Sequence, residues 1–213
     1  MPDATSPSMR FGWSNVEPTE SHSYLVPAVL GVLRRKLPRP GHSKVIDIGC
    51  GNGAFTKQLR ELGFDVLGVE PAADGVAMAR SGDPELRVIQ ASAYDDLRGQ
   101  FGVFDAVVCL EVFEHLYSPR LAMNRVAALL GPSGFLIIST PYHGYVKNVA
   151  LSLAGKWDFH HHPLVEHGHI KFWSRATLEE LIRSSALCPL EFQRLGRFPT
   201  VAKSMMIVAG KRA

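Results

Sequence analysis

Cysteine, net charge and long apolar runs are what this sequence has least of. Only three of its 213 residues are cysteine: Cys50, Cys109 and Cys188. An odd count, no C-x-x-C pair and apolar neighbours imply free thiols and a reducing, cytoplasmic setting. No window approaches the roughly 18 consecutive apolar residues of a membrane-spanning helix. The opening MPDATSPSMR lacks a basic start followed by an apolar stretch, so no secretory signal is expected. Net charge is only +3, and no Lys/Arg block marks a nucleic-acid footprint. Internal repeats and low-complexity runs are absent. What remains, 46% hydrophobic and 20% charged residues, is the composition of a folded chain with a core. The histidines are the unusual feature: five of nine fall between His160 and His169.

Periodicity divides the chain into one domain, 1–213, with three parts. Residues 1–18 are polar, carry Pro2, Pro7 and Pro18, and read as an arm without regular structure. Tyr24, Val26, Val29, Leu30 and Leu33 then predict a helix within Thr19–Leu37, which completes the part up to residue 40. From 41 to 140 short apolar runs alternate with helical patterns. Strands are expected at Lys44–Ile48, Phe64–Glu70, Leu86–Ala91, Phe104–Leu110 and Phe135–Thr140. Helices are expected at Ala54–Leu62, Ala72–Arg80 and from Pro119 to Leu130. This alternation predicts an α/β fold with a parallel sheet covered on both faces. From 141 to 213 a substrate-side half with a lid is expected. It holds an apolar helix over Val146–Leu153, a histidine-rich loop, a helix from Ser174 to Ala186, and two strands, Leu190–Leu195 and Val201–Ala209, closing the sheet edge as an antiparallel pair.

Gly49-Cys50-Gly51-Asn52-Gly53-Ala54 joins the first strand to its helix. Glycines there turn the chain tightly and bring a ligand against helix N-terminal amides. The run satisfies the dinucleotide pattern G-x-G-x-x-G/A, and Glu70 ends the second strand where a carboxylate holds a ribose diol. A nicotinamide oxidoreductase is therefore one reading. Asp47, two residues before the first glycine, is expected at the mouth of the loop, where it would repel a pyrophosphate and favour a ligand with positive charge. S-adenosylmethionine carries an ammonium and a sulfonium and no phosphate.

Val45 to Gly53 resembles motif I of the class I S-adenosylmethionine-dependent methyltransferases, and the resemblance extends over about residues 40–210. It implies a Rossmann-like doubly wound sheet of seven strands, mostly parallel with an antiparallel last strand. It also implies roles. Asp47, Gly49, Cys50, Gly51 and Gly53 would form the cofactor loop, and Glu70, with Pro71 beside it, would take the ribose hydroxyls. Ser92-Ala93 would lie by the adenine, with Ser92 departing from the usual Asp. Leu110, ending strand four, would lie by the methionine end.

Glu111-Val112-Phe113-Glu114-His115 follows strand four. If helical, it puts Glu111, Glu114 and His115 on one face, a set able to hold a divalent cation and ionise a bound hydroxyl. The stretch resembles two branches of the class: ubiquinone-biosynthesis O-methyltransferases, acting on catechols, and small-RNA 2′-O-methyltransferases, acting on a terminal diol. In both, a later His completes the site, and Gly168–Ser174 resembles that element, making His169 the fourth ligand, with Mg²⁺ or Mn²⁺ expected. The alternative has no metal: Glu114 caps a helix, and His115 is a general base by location and pKa. His115 and Glu111 are the catalytic candidates either way.

Tyr142 and His143, with Ser139, are candidate substrate contacts. His160, His161 and His162, being consecutive, read as a solvent-facing loop. Val146–Leu153 reads as a lid packed on the core, with a lipid- or greasy-substrate-facing helix as the bolder alternative. The expected function is O-methylation of a small-molecule hydroxyl, a catechol or vicinal diol fitting best. RNA is disfavoured because 213 residues leave no room for an added binding module. A cofactor-binding protein without turnover stays open, and oligomeric state is not legible.

Overall fold

The computed structural model of the protein describes residues 10–161, 164–165, 167–196 and 202–212. Residues 1–9 of the arm, His162, and Val201, the first residue of the last expected strand, lie outside them. In chain order the elements are α1 (His22–Lys36), β1 (Lys44–Ile48), α2 (Ala54–Glu61), β2 (Asp65–Glu70), α3 (Ala73–Gly82), β3 (Val88–Gln90), α4 (Leu97–Phe101) and β4 (Phe104–Leu110). They continue with α5 (Pro119–Leu129), β5 (Leu130–Pro141), α6 (Tyr145–Leu153), α7 (Trp157–His160), α8 (Arg175–Arg183), β6 (Leu187–Leu195) and β7 (Ser204–Lys211).

The strands form one sheet in the order β3-β2-β1-β4-β5-β7-β6. β1 pairs in parallel with β2 and β4, and β4 with β5. β7 enters between β5 and β6, antiparallel to both. Neighbouring residues in each strand serve opposite cores, because strand side chains alternate. Val45, Val66, Val108 and Ile137 pack under α1 and α2 with Val29, Leu33, Phe55 and Leu59. Ile46, Leu67, Val107 and Ile138 pack on the other face with Met123, Val126, Leu178 and Ile182 of α5 and α8. Both faces being buried, the strands read as continuous apolar runs.

The expected seven-stranded, mostly parallel sheet is present. Three details differ. The short helix α4 follows an Asp96 cap that accepts from the Gly99 N–H, a local signal too short to register as periodicity. β5 starts directly after α5, because Leu130 already pairs with Phe104 before the Gly131–Gly134 irregularity. And α6 buries none of its residues: Tyr145 is 84% exposed and Leu153 85%. It is a surface helix, and the expectation of a lid packed on the core is corrected.

Strand order reverses between β1 and β4. In an open parallel sheet the crevice for a ligand opens at the C-terminal strand ends beside such a reversal. The segments starting at Gly49 and Glu111 leave the sheet there.

Candidate active site

A cavity of about 470 Å³ opens at this switch point, a size suited to a small molecule. Its floor is the glycine loop. Gly49 and Gly51 have φ of +74° and +55°, the left-handed region glycine enters at no steric cost. Space adds a second demand: a Cβ on Gly49 would lie 2.5 Å from Val112 Cγ2, and one on Gly51 2.4 Å from the Trp13 ring.

Glu70 ends β2 and is almost fully buried. Its Oε2 accepts from the Gly51 N–H at 2.8 Å and its Oε1 from the Ala72 N–H at 2.9 Å. Burial pushes its pKa up, and those two N–H donors oppose the shift. Glu70 therefore clamps the loop as well as lining the cavity. Gly49, Cys50, Gly51, Pro71, Ser92, Ala93 and Leu110, all named from the sequence as cofactor residues, line it too.

Asp47 and Gly53 are not among the lining residues. Gly53 is a packing glycine, its Cβ position 2.7 Å from Ala79 Cβ. Asp47 lies beneath the loop, 2% exposed, accepting from Thr56 Oγ1 at 2.7 Å, and burial raises its pKa to about 7. It presents no charge at the mouth, so the electrostatic argument built on it against a nicotinamide ligand does not stand. The sequence reading also missed lining residues: Tyr94 after β3, Leu116 and Tyr117 after β4, and Trp13, Ser21 and His22 from the arm and α1. Trp13 carried one signal, a large aromatic in a polar stretch with no element to pack.

At the other end of the cavity residues 111–118 form turns, not a helix. Glu111 adopts φ +55°, a conformation rare for a side-chain-bearing residue and common at functional turns. Its N–H donates to Ser139 O and Oγ, and its carboxylate accepts from Ser139 Oγ at 2.8 Å and Ser204 Oγ at 3.2 Å. Burial lifts its pKa to about 7, against the pull of the two hydroxyls.

The turn separates Glu111 from the group it was expected to join. Glu114, His115 and His169 come together without it, their ligand atoms within 4.8 Å of one another. Glu114 is fully buried, and among the described residues neither carboxylate oxygen has a hydrogen-bond partner. Burial, then the charge of Glu111, pushes its pKa well above the usual carboxylate range. His115 Nδ1 sits 2.7 Å from the His167 carbonyl, the geometry of a donated N–H that leaves a lone pair on Nε2. His169 Nε2 is 3.9 Å from Glu114 Oε1. The Ile170 and Lys171 N–H groups both donate to the Glu114 carbonyl, pinning the distant histidine segment to this turn.

Tyr142 and His143 do not line this cavity. Tyr142 packs against the core with Arg194 over its ring. His143 lines a separate cavity of about 510 Å³ with Tyr145, Asn148 and Leu153. His161 lies in a bend as expected, half-buried, with its ring against Trp157 and Phe172.

Residues 24–185 match the family of methyltransferase domains. The ubiquinone biosynthesis O-methyltransferase of Azorhizobium caulinodans is 32% identical over 140 residues, 64% of this chain and 55% of that protein. That of Cereibacter sphaeroides is 29% identical over 152 residues, 70% of this chain and 61% of its own. The chain spans little more than half the length of these curated relatives. Among solved structures, a Pyrococcus horikoshii protein matches with a TM-score of 0.71 at 18% identity, covering 94% of this chain and 95% of that one. The magnesium protoporphyrin IX methyltransferase of Synechocystis, with S-adenosylhomocysteine bound, matches with a TM-score of 0.68 at 18% identity, covering 88% and 82%. The chain belongs to the methyltransferase-domain family.

Proposed function

We propose that the protein transfers the methyl group of S-adenosylmethionine to a hydroxyl of a small molecule carrying two adjacent oxygens, a catechol or vicinal diol. The observation that carries this reading is Glu114: a carboxylate sealed from water, without a hydrogen-bond donor, between two imidazoles at the edge of the cofactor cleft. A buried charge in that state is costly unless something positive faces it. One carboxylate and two imidazoles fit a divalent cation. With Glu111 turned away, the set leans from Mg²⁺ toward Mn²⁺ or another borderline metal. Bound there, the cation would hold adjacent acceptor oxygens and lower the pKa of one.

The chain's own groups supply the rest. The glycine loop and Glu70 hold the cofactor, and His115 and Glu111 line the cavity at its acceptor end. Transfer breaks the sulfonium carbon–sulfur bond, forms the carbon–oxygen bond and leaves neutral S-adenosylhomocysteine. Glu111, with a pKa near 7, is placed to take the hydroxyl proton. Alignment of donor and acceptor with water excluded is the larger part of such catalysis. The O-methyltransferase names of the matched relatives agree with oxygen as the acceptor atom.

A second reading has a specific observation behind it. The Nε2 lone pair of His115, with burial lowering its pKa and the His167 carbonyl raising it, suits a metal-free general base. Turnover on paired catechol and monophenol acceptors, with and without chelator, decides. The metal reading expects catechol selectivity and full loss in chelator. Full activity in chelator would leave His115 as the base, and no turnover on any panel of hydroxyl, amine and carbon acceptors would leave a cofactor-binding protein.

A further inference from the structure

Among the described residues, from Arg10 on, the arm before α1 has no helix or strand, yet it is held firmly at two points. The N–H groups of Phe11, Gly12 and Trp13 all donate to the Asp74 carboxylate, at 3.2, 2.7 and 3.1 Å. The Asn52 side-chain amide, from the glycine loop itself, donates to the carbonyls of Asn15 and Glu17 at 2.9 and 2.8 Å. These anchors lay the Trp13 indole on the loop. Its Cζ2 is 2.4 Å from where a Gly51 Cβ would stand, and its Cδ1 is 3.1 Å from the corresponding point on Gly75. Glu70 Cγ is 2.9 Å from that same Gly75 point. Nε1 is bonded to that Cδ1, so the N–H edge of the indole and the Glu70 side chain both approach Gly75. This nitrogen is buried and, among the described residues, has no hydrogen-bond partner.

We propose that Trp13 is a cofactor-binding residue: its indole roofs the ribose of S-adenosylmethionine, and its Nε1–H donates to the ribose hydroxyl that Glu70 accepts from. The chemistry is complementary. An ionised Glu70 can only accept, so a hydroxyl gives it a proton and keeps lone pairs that need a donor. The indole N–H can only donate, and burial without an acceptor is unfavourable for it. A ribose hydroxyl between the two satisfies both. The arm does not fill the cleft, since the cavity of about 470 Å³ exists with Trp13 in place and counts it among its walls.

The proposal rests on S-adenosylmethionine being the cofactor, and the test separates the two claims. S-adenosylhomocysteine is titrated calorimetrically into the wild-type chain, Trp13→Phe and Trp13→Ala, alongside analogues lacking the 2′- or 3′-hydroxyl. Trp13→Phe keeps the ring and loses the donor, so affinity should fall about 3- to 10-fold, the worth of a neutral hydrogen bond. Trp13→Ala should fall further. For the analogue missing the contacted hydroxyl, wild type and Trp13→Phe should bind alike, a coupling that a merely structural tryptophan would not show. Should Trp13→Ala fail to fold, the Trp13→Phe cycle still decides. Binding unchanged in Trp13→Phe, or equal losses for every analogue, overturns the donor. Tighter binding by Trp13→Ala would make the indole a plug and overturn the roof. No binding by the wild-type chain refutes the cofactor reading and this proposal together.

Discussion

At its cofactor end the cleft is largely a backbone construction. Gly49, Gly51 and the ends of β1 and β2 set its shape, and Glu70 clamps the loop through two N–H donors. The acceptor end is made of side chains gathered from four parts of the chain: 111–115, Ser139, 167–171 and Ser204. There two carboxyls, Glu111 and Glu114, are buried and raised in pKa, and Glu114 has no donor among the described residues. The first end leaves one side-chain group open, the Trp13 N–H. The second concentrates its unmet electrostatic demand on Glu114, which is why we propose the chemistry there and not at the loop.

The comparison is broken most severely by changing Glu114. Glu114→Gln keeps the shape and removes the charge, so turnover should drop by about 100-fold or more if the carboxylate is a metal ligand, while affinity for S-adenosylhomocysteine stays within about twofold. Steady-state rates and calorimetry on one preparation give both numbers. Equal losses in both would merge the two ends into one site.

Glu70→Ala comes next. Loss of hydrogen bonds to a charged group is worth about 1.5–3 kcal/mol, roughly 10- to 150-fold in cofactor affinity. Because Glu70 also holds Gly51 and Ala72, the unliganded variant should melt several degrees lower, where a purely surface ligand residue would leave the melting temperature alone. Differential scanning calorimetry without ligand reads this directly.

A pH series sharpens the contrast at moderate amplitude. Asp47, Glu111 and Glu114 are all raised by burial. Each binds its proton more tightly folded than unfolded. Stability from this source is therefore fully present below the ordinary carboxylate range and declines as pH rises, up to about 7 for Asp47 and Glu111. The metal-free protein should lose melting temperature between about pH 4.5 and 7.5. Asp47→Asn should flatten part of that slope without changing acceptor turnover, because Asp47 lies under the loop. A pH-independent melting temperature would contradict the burial of all three charges.

The smallest effect is expected at α6. Tyr145→Ser and Leu153→Ser should change stability by no more than about 0.5 kcal/mol, the usual range for exposed positions. A loss of several degrees would mean that this helix packs as a lid after all.

These differences track what a linear sequence can carry. Lys44–Ile48 and Phe104–Leu110 were legible to the residue, because buried parallel strands are uninterrupted apolar runs bounded by glycine or charge. The loop and Glu70 were legible for a similar reason, since their chemistry is contiguous backbone geometry with fixed spacing. Asp47 misled because position along a strand fixes the face but not the depth, and Thr56, nine residues on, supplies the donor that lets it stay buried. Helical spacing placed Glu111 with Glu114 and His115, and one left-handed residue at 111 undid it. His169 could be placed beside Glu114 only by resemblance, because two backbone hydrogen bonds from Ile170 and Lys171 make the link across the chain. Tyr142 and His143 follow β5 as expected, but the chain carries them toward Arg194 and α6, away from the cofactor cleft.

The central claim is that Glu114, His115 and His169 are one cation site that serves the acceptor end alone. Calorimetric titration of Mn²⁺ into metal-free wild-type protein and His169→Ala, each with and without S-adenosylhomocysteine, tests it most directly. The account predicts one Mn²⁺ per chain in the wild type, accompanied by proton release as Glu114 ionises, loss of that binding in His169→Ala, and unchanged affinity of the variant for S-adenosylhomocysteine. Absence of stoichiometric binding in the wild type, or equal Mn²⁺ affinity in His169→Ala, would contradict it.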